Sequence, residues 1–421
     1  MPTPDAQARA AVRERLGETV FLEAGAGSGK TTCLVERFVA LVEAGVEADR
    51  IAAITFTEKA AGELADRIRT ELQGRSAASP RCREALAALD RGAISTLHSF
   101  AQRLLSEHPI EAGLPPRVTV LDEIASQLAF EQRWEAFVDR IIDDDRLERP
   151  LRLLLAAGAQ LDHLHEVTAQ FGANWDLVAE RAHGAVTEVP PLDLAPLLGQ
   201  LDAVVAMGDD CTDADDRLLA RLADLRDWAS RLRAGTDDDA RLHQLGRAPS
   251  FAAGIGRQQN WPDCAAVRDR VRALEAARDQ IRDVVQEACL LRMAEELAVF
   301  TVEAAESRRQ AGELEFHDLL VLGRSVLRDP AHGVEVRAAL RERYQHLLLD
   351  EFQDTDPIQV ELAVLIASSD PDAAAKPWWE VEVDPGRLFF VGDPKQSIYR
   401  FRRADISVFL RDTEMSARRK R

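Results

Sequence analysis

The stretch "VFLEAGAGSGKTTCLVERFVALVEAG", residues 20–45, decides the fold. A short apolar run leads into glycines at 25, 27 and 29, and then into apolar residues spaced three and four apart. That order predicts strand, tight loop and helix. The glycines let the backbone bend so that N–H groups point inward, and the helix adds its positive N-terminus. Such a cradle suits a phosphate. Lys30 is placed to reach the β- and γ-phosphates of a nucleotide, and the Thr31 hydroxyl to ligate Mg²⁺. The loop, Ala24, Gly25, Ala26, Gly27, Ser28, Gly29, Lys30, Thr31 and Thr32, departs from the strict pattern at its first position, where Ala24 stands for glycine.

The pattern repeats outward from there. "IAAITFTEKAAGELADRIRTEL" reads as strand, polar turn and helix, and "GAISTLHSFAQRLLSE" reads the same way. Strands alternating with helices imply an α/β fold, a parallel sheet with helices on its faces. From residue 122 to residue 309 strand signals are scarce. Long Ala/Leu/Arg/Glu-rich amphipathic stretches such as "RVRALEAARDQIRDVVQEACLLRMAEELAVF" predict a helical bundle rather than a coiled coil. Loops interrupt it at "EVPPLDLAPL" and "GRAPSFAAGIGRQQNWPD". Strands then return, each before an acidic turn, in "HLLLDEFQDTDP" and "RLFFVGDPKQ". The expected organisation is therefore a discontinuous α/β domain, residues 1–121 and 310–421, carrying a helical insertion at residues 122–309.

A nucleotide site of this kind needs carboxylates on a second strand. Asp350, at the end of an apolar run, is placed to hold Mg²⁺ through water, and Glu351 to polarise the attacking water. Adjacent acids after a buried strand are costly unless a metal or a reaction uses them. Gln396, in "VGDPKQS", is a candidate sensor of the γ-phosphate, because an amide both donates to phosphate oxygen and accepts from water.

Composition narrows the classes. The chain has 421 residues, 46% of them hydrophobic, enough for more than one core. No apolar run approaches the roughly 20 residues of a membrane helix, and the N-terminus lacks an apolar signal core. A cytoplasmic location is expected, with no membrane partner. The five cysteines form no CxxC pair and stand apart from histidine at metal spacing, so neither structural zinc nor an iron–sulfur cluster is expected. The net charge of −19 argues against nucleic acid only if charge is evenly spread. It is not: acid collects in "MGDDCTDADD" and "GTDDDA", and base collects after Lys395.

Six motifs together resemble the UvrD/Rep-type superfamily 1 DNA helicases, and among these the RecB/AddA-type helicase–nuclease subunits. They are "AGAGSGKTT" (24–32), "ITFTEKAAGEL" (54–64), "STLHSF" (95–100), "EFHDLL" (315–320), "LLLDEFQDTDPIQ" (347–359) and "VGDPKQSIYRFRRAD" (391–405), in family order. Ala24 is what this family often shows. The resemblance implies a RecA-like P-loop NTPase lobe and an ATP-dependent DNA helicase or translocase of 3′-to-5′ polarity in repair or recombination. It implies ATP and Mg²⁺ as ligands, single-stranded or duplex-end DNA as partner, and a helicase–nuclease partner subunit.

By position the resemblance implies that Gln7 meets the adenine edge. Lys30 and Glu351 would be catalytic, Thr31 and Asp350 would hold the metal, and Gln396 would couple hydrolysis to movement. Thr55, Phe56, Thr57, Thr96 and His98 fall where the family lays single-stranded DNA. Tyr399, Phe401 and Arg402 fall where it stacks bases and grips the backbone. Aromatic faces and arginine suit that task, and the alternation in "IYRFRR" equally fits a turn with one buried face. His317 replaces the usual aspartate and Arg403 a frequent glycine. In the family a second motor lobe, with arginine fingers, follows this joint. The sequence reaches Arg421 without those motifs. The expectation is half a motor, with little turnover of its own, or a non-catalytic ATP- and DNA-binding lobe acting with a partner.

Overall fold

A computed structural model describes residues 4–25, 27–181, 187–252 and 254–396. The chain divides into two compact units: unit 1 is Met1–Asp122 with Arg308–Arg421, and unit 2 is Glu123–Ser307.

Unit 1 opens with α1 (Pro4–Glu14), β1 (Val20–Glu23), α2 (Lys30–Ala44), β2 (Ile51–Thr55), α3 (Glu58–Arg75), α4 (Pro80–Ala88), β3 (Ala93–Thr96), α5 (Leu97–Glu107) and β4 (Thr119–Val120). Unit 2 holds α6 (Glu123–Ile142), α7 (Asp145–Ala156), α8 (Leu161–Gly172), α9 (Trp175–Arg181), α10 (Ala195–Ala206), α11 (Arg217–Ala234), α12 (Asp238–Gly246) and most of α13 (Cys264–Ala311). The return to unit 1 adds β5 (Glu313–Leu314), α14 (Phe316–Arg328), α15 (Gly333–Arg343), β6 (His346–Leu349), α16 (Pro357–Ala367) and β7 (Leu388–Gly392).

The five-stranded sheet of unit 1 has the order β1-β7-β6-β2-β3, and every pairing is parallel. The inner strands β2 ("IAAIT") and β7 ("LFFVG") are buried along their whole length, and β6 ("HLLL") along all but His346. Near-continuous apolar runs of this kind are what a sheet covered on both faces requires. Register fixes which residues share a face: Ala53 pairs with Leu348, Leu348 with Phe389, and Phe389 with Val20. That row packs with Leu34 and Phe38 of α2 and Ile68 and Leu72 of α3 in one hydrophobic core. On the other parity Phe390 and Phe21 meet Phe352, with ring centroids 4.5 Å and 5.3 Å from it.

Arg37 of α2 is fully buried. Its guanidinium donates to the carbonyls of Val12, Arg15, Leu16 and Glu18 at 2.8–3.3 Å. Burial lowers its pKa to about 10, against the pull of Glu18, so it remains a cation at neutral pH. It pins the end of α1 and the turn into β1 against α2.

A short parallel pair stitches the two sequence halves of unit 1: Thr119 opposes Glu313 and Val120 opposes Leu314. Gly312 precedes it at φ 70°, where a Cβ would stand 2.4 Å from the Arg117 carbonyl oxygen. Only glycine fits there. Beside it the buried Arg308 guanidinium forks onto Asp318 at 2.7 and 2.8 Å.

Unit 2 is helical through its described residues. Its core gathers Trp134, Phe137, Leu153, Leu197, Leu222, Trp228, Leu274 and Met293. Side chains of Asp144, Asp216 and Asp237 accept backbone N–H bonds at the starts of α7, α11 and α12, the expected N-cap chemistry. Among the described residues, no helix is long and apolar enough to cross a membrane.

Candidate functional site

Because every strand of the large sheet is parallel, all their C-terminal ends lie along one edge. Ligands of open α/β sheets bind outside that edge. The loops after β1, β2, β6 and β7 carry most of the motif residues, and the topology brings them together.

The loop after β1 is tied to the sheet by the Ala24 N–H, which donates to the Gly392 carbonyl at 3.0 Å. Ser28 folds back onto the Gly25 carbonyl through its N–H (3.2 Å) and its hydroxyl (2.6 Å). Gly27 and Gly29 take left-handed φ values of 74° and 89°, which any residue with a Cβ adopts at a cost. Gly29 is the N-cap of α2 and brings no side-chain cap, so the first turn presents its N–H groups and the positive end of its dipole. Ala26 lies outside the described residues. From α1, Arg9 donates to the Ser28 carbonyl at 2.7 Å. Gln7 is exposed on the same helix.

Lys30 is the point of convergence. Its Nζ donates to Glu351 Oε2 at 2.5 Å and to Gln396 Oε1 at 2.9 Å, so it joins the loops after β1, β6 and β7. Glu351 sits at φ 51°, a left-handed position that is unique among the non-glycine residues described. Phe352, wedged between Phe21 and Phe390, fixes the turn beneath it. Asp350 continues the β2–β6 ladder through its N–H to the Ile54 carbonyl (2.8 Å). Burial, and then the charge of Glu351, push its carboxyl up to about 6.

A cleft of about 710 Å³ opens here, lined in part by Thr31, Thr55, Phe56, Asp350, Glu351 and Gln396. Thr31 and Asp350 offer it hard oxygen donors. A half-buried carboxylate held near 6 by desolvation, and then by an adjacent acid, is a group that a divalent cation would return to its charged form. Among the described residues no cluster of three or more His, Cys, Asp or Glu has metal-binding geometry. The pair suits Mg²⁺, which takes one or two protein oxygens and fills its octahedron with water and phosphate. Thr32, the next residue, is exposed.

The remaining site residues divide. Thr55 is buried on the cleft wall, and its Oγ1 has no hydrogen-bond partner there. Phe56 and Thr57 line the same cleft. Thr57 is also the N-cap of α3, accepting from the Ala60 N–H at 3.1 Å. Thr96 caps α5 through the Ser99 N–H (3.2 Å) and donates to Glu58 at 2.7 Å. The Ser99 hydroxyl joins it on Glu58 at 2.6 Å, and the two bonds, Ser99 first, hold that carboxyl below its usual range. His98 meets Phe316 edge-on at 5.7 Å. Burial, then the neighbouring His317, lower its pKa, so its ring is neutral at pH 7. Tyr399, Phe401, Arg402 and Arg403 lie outside the described residues.

Three residues of this arrangement escaped the sequence reading. Gln353 stands inside the quoted "DEFQD", Arg9 two positions after Gln7, and Glu58 directly after Thr57. Their signal was adjacency to motif residues, with nothing in the spacing to show which backbone or side chain each would reach.

Residues 5–416 match the UvrD/REP helicase N-terminal domain family. The chain belongs to that family. Among curated proteins it is similar to an ATP-dependent helicase/nuclease subunit of Geobacillus kaustophilus, 28% identical over 94% of this chain and 35% of the relative. The proteins of the same description from Staphylococcus aureus (27% identical) and Pediococcus pentosaceus (25% identical) show the same coverage, 94% of this chain and 35% of the relative. The chain therefore spans about a third of the length of these relatives. The match runs over both units, so the family assignment covers the helical unit as well as the sheet.

Proposed function

We propose that this chain is the ATP-binding part of a DNA helicase or translocase motor acting in repair or recombination. In this reading residues 1–121 and 310–421 form a RecA-like motor lobe, and residues 122–309 are an insertion within it. The observation that carries the reading is the meeting of Lys30, Glu351 and Gln396 from three strand ends beside a glycine-rich helix N-terminus.

Each residue then has a task. The loop N–H groups and α2 receive the phosphates, and Lys30 leaves Glu351 for the β- and γ-phosphate oxygens. Gln7 contacts the adenine. Thr31 and Asp350 would hold Mg²⁺, which would supply neutralisation of the charge that develops on the phosphates. Glu351 takes a proton from the water whose oxygen attacks the γ-phosphorus as ADP departs. Gln396, released from Lys30, senses the γ-phosphate. Thr55, Phe56, Thr57, Thr96 and His98, with Tyr399, Phe401 and Arg402, form the path for single-stranded DNA. A neutral His98 serves such a path by stacking or hydrogen bonding. Movement 3′ to 5′, a duplex end as entry point, a cytoplasmic site of action and a helicase–nuclease partner subunit complete the proposal. The relatives' description as subunits supports the last.

The test is ATP hydrolysis and MgATPγS binding by the 421-residue chain, with and without single-stranded DNA, beside Glu351→Gln and Lys30→Ala. The expected results are binding that Lys30→Ala weakens by about 10²-fold and little turnover by this chain alone. DNA-stimulated turnover that Glu351→Gln abolishes would overturn the half-motor reading and mean that the site is completed in trans. Absence of binding would overturn both readings.

A further inference from the structure

Gln353 is 2% exposed, and its amide is held within the candidate site. Its Nε2 donates to Glu351 Oε2 at 2.7 Å and to Asp354 Oδ2 at 3.2 Å. Its Oε1 accepts from the Asp393 N–H at 2.8 Å. One amide thus spans from the loop after β6 to the loop after β7. The oxygen it holds on Glu351 is the oxygen that Lys30 also holds. Glu351 Oε1 accepts neither of these bonds.

That shared oxygen matters once a nucleotide enters. When Lys30 turns to phosphate, Glu351 loses its strongest anchor. A carboxylate on a freely turning χ would then present either oxygen, at varying angle, to the attacking water. Gln353 remains on Oε2, and its own orientation is set by the Asp393 N–H three residues before Gln396. An amide is suited to this, since one end donates to the carboxylate while the other accepts from the backbone. Leucine or methionine would fill the same space and do neither.

We propose that Gln353 is a positioning residue for hydrolysis. It keeps Oε2 of Glu351 fixed after Lys30 has moved to the phosphates, leaves Oε1 to the water, and links that orientation to the loop that bears Gln396. The inference rests on the function proposed above, and goes beyond it in assigning how the base is aimed and what it is coupled to.

The charged groups around the Glu351 carboxylate are Lys30, Asp350 and Asp354, with Glu63, Arg67 and Lys395 on the same cleft. The test follows Glu351 itself. In the full chain labelled with ¹³C at the glutamate carboxyls, the Glu351 signal is assigned by its loss in Glu351→Gln, and its chemical shift and line width are read at pH 8. Gln353→Met keeps the volume and removes both ends of the amide. Gln353→Asn keeps an amide without adding charge and sets it one methylene short of Glu351.

Without nucleotide, both variants should move the Glu351 carboxyl signal, because the donor on Oε2 is gone or displaced. With MgATPγS bound the displacement should grow, because Lys30 no longer holds the same oxygen. Where turnover is measurable, Gln353→Met should lower kcat by about 10²-fold, with KM nearly unchanged. A signal that stays in place in both variants overturns the proposal. So does a displacement that shrinks when nucleotide binds. If the wild-type chain binds no MgATPγS, the function proposed above fails, and the nucleotide-free spectrum still decides whether Gln353 holds Glu351.

Discussion

Asp350 and Glu351 are sequence neighbours in opposite circumstances. Glu351 has Lys30 as a counter-ion, while Asp350 is half-buried next to a like charge and carries the raised pKa of about 6. A carboxyl raised above its unfolded value stabilises the fold fully below that value, near 4. The contribution is lost as pH climbs through the folded pKa near 6. Above pH 6 the ionised Asp350 is therefore a burden on the nucleotide-free protein. Asp350→Asn removes the charge and keeps an oxygen for the Glu351 N–H. It should stabilise the chain at pH 8 by on the order of 2 kcal/mol, and by little at pH 4. Urea unfolding of both proteins at the two pH values measures this. Equal curves at pH 8 would show that Asp350 has found a counter-charge. The same variant should weaken MgATPγS more than ATPγS alone, since only the metal calls on the Asp350 charge. A wild-type protein should likewise lose Mg²⁺-dependent binding as pH falls through 6.

At the scale of elements, two threonines expected on a DNA path do structural work that a sequence can announce. Thr57 and Thr96 each precede a helix and each accept an N3 backbone bond. An N-cap threonine is worth about 1 kcal/mol against alanine. Thr96→Ala should cost that amount, and somewhat more because Glu58 loses one of its two hydroxyl donors. Thermal unfolding and single-strand affinity must be read together. Lost stability with intact DNA affinity would mean that Thr96 only caps α5, and loss of both would restore it to the path. The helix starts, the glycine loop and the acidic turns were legible because each is written in a handful of consecutive residues. The sheet order was not. β1 pairs with a strand more than 350 residues away, Val20 against Phe389, and an apolar run carries no mark of its partner. The two-residue strands β4 and β5 are too short for any periodicity to declare. Gln353 was visible as a letter and invisible as a bridge, since the Asp393 N–H it accepts from is reached only through the fold.

For the whole molecule the telling fact is that, among the described residues, a hydrophobic core in unit 1 and one in unit 2 share no residue. One collects side chains from Val12 to Leu89 and again from Leu348 to Val391, and the other runs from Trp134 to Phe300. Each unit has its own apolar driving force, and the residues of the candidate nucleotide site belong to unit 1 alone. A ligand that binds only folded unit 1 stabilises that unit by mass action, about 2.7 kcal/mol at a hundredfold excess over its Kd. Heating should therefore resolve two transitions, one for each core. MgATPγS should raise one transition and leave the other in place, and Lys30→Ala should abolish the rise without moving either baseline transition by much. The assignment can be made internally. Trp134, Trp228 and Trp261 lie in the core of unit 2, and Trp378 is buried in unit 1. Trp379 stands beside Trp378 with ring centroids 5.7 Å apart, so the Trp378→Phe, Trp379→Phe double variant should remove fluorescence change from the nucleotide-sensitive step. One transition that moves as a whole would overturn the separation, and would mean that nucleotide binding in unit 1 is felt by the helical unit throughout its core.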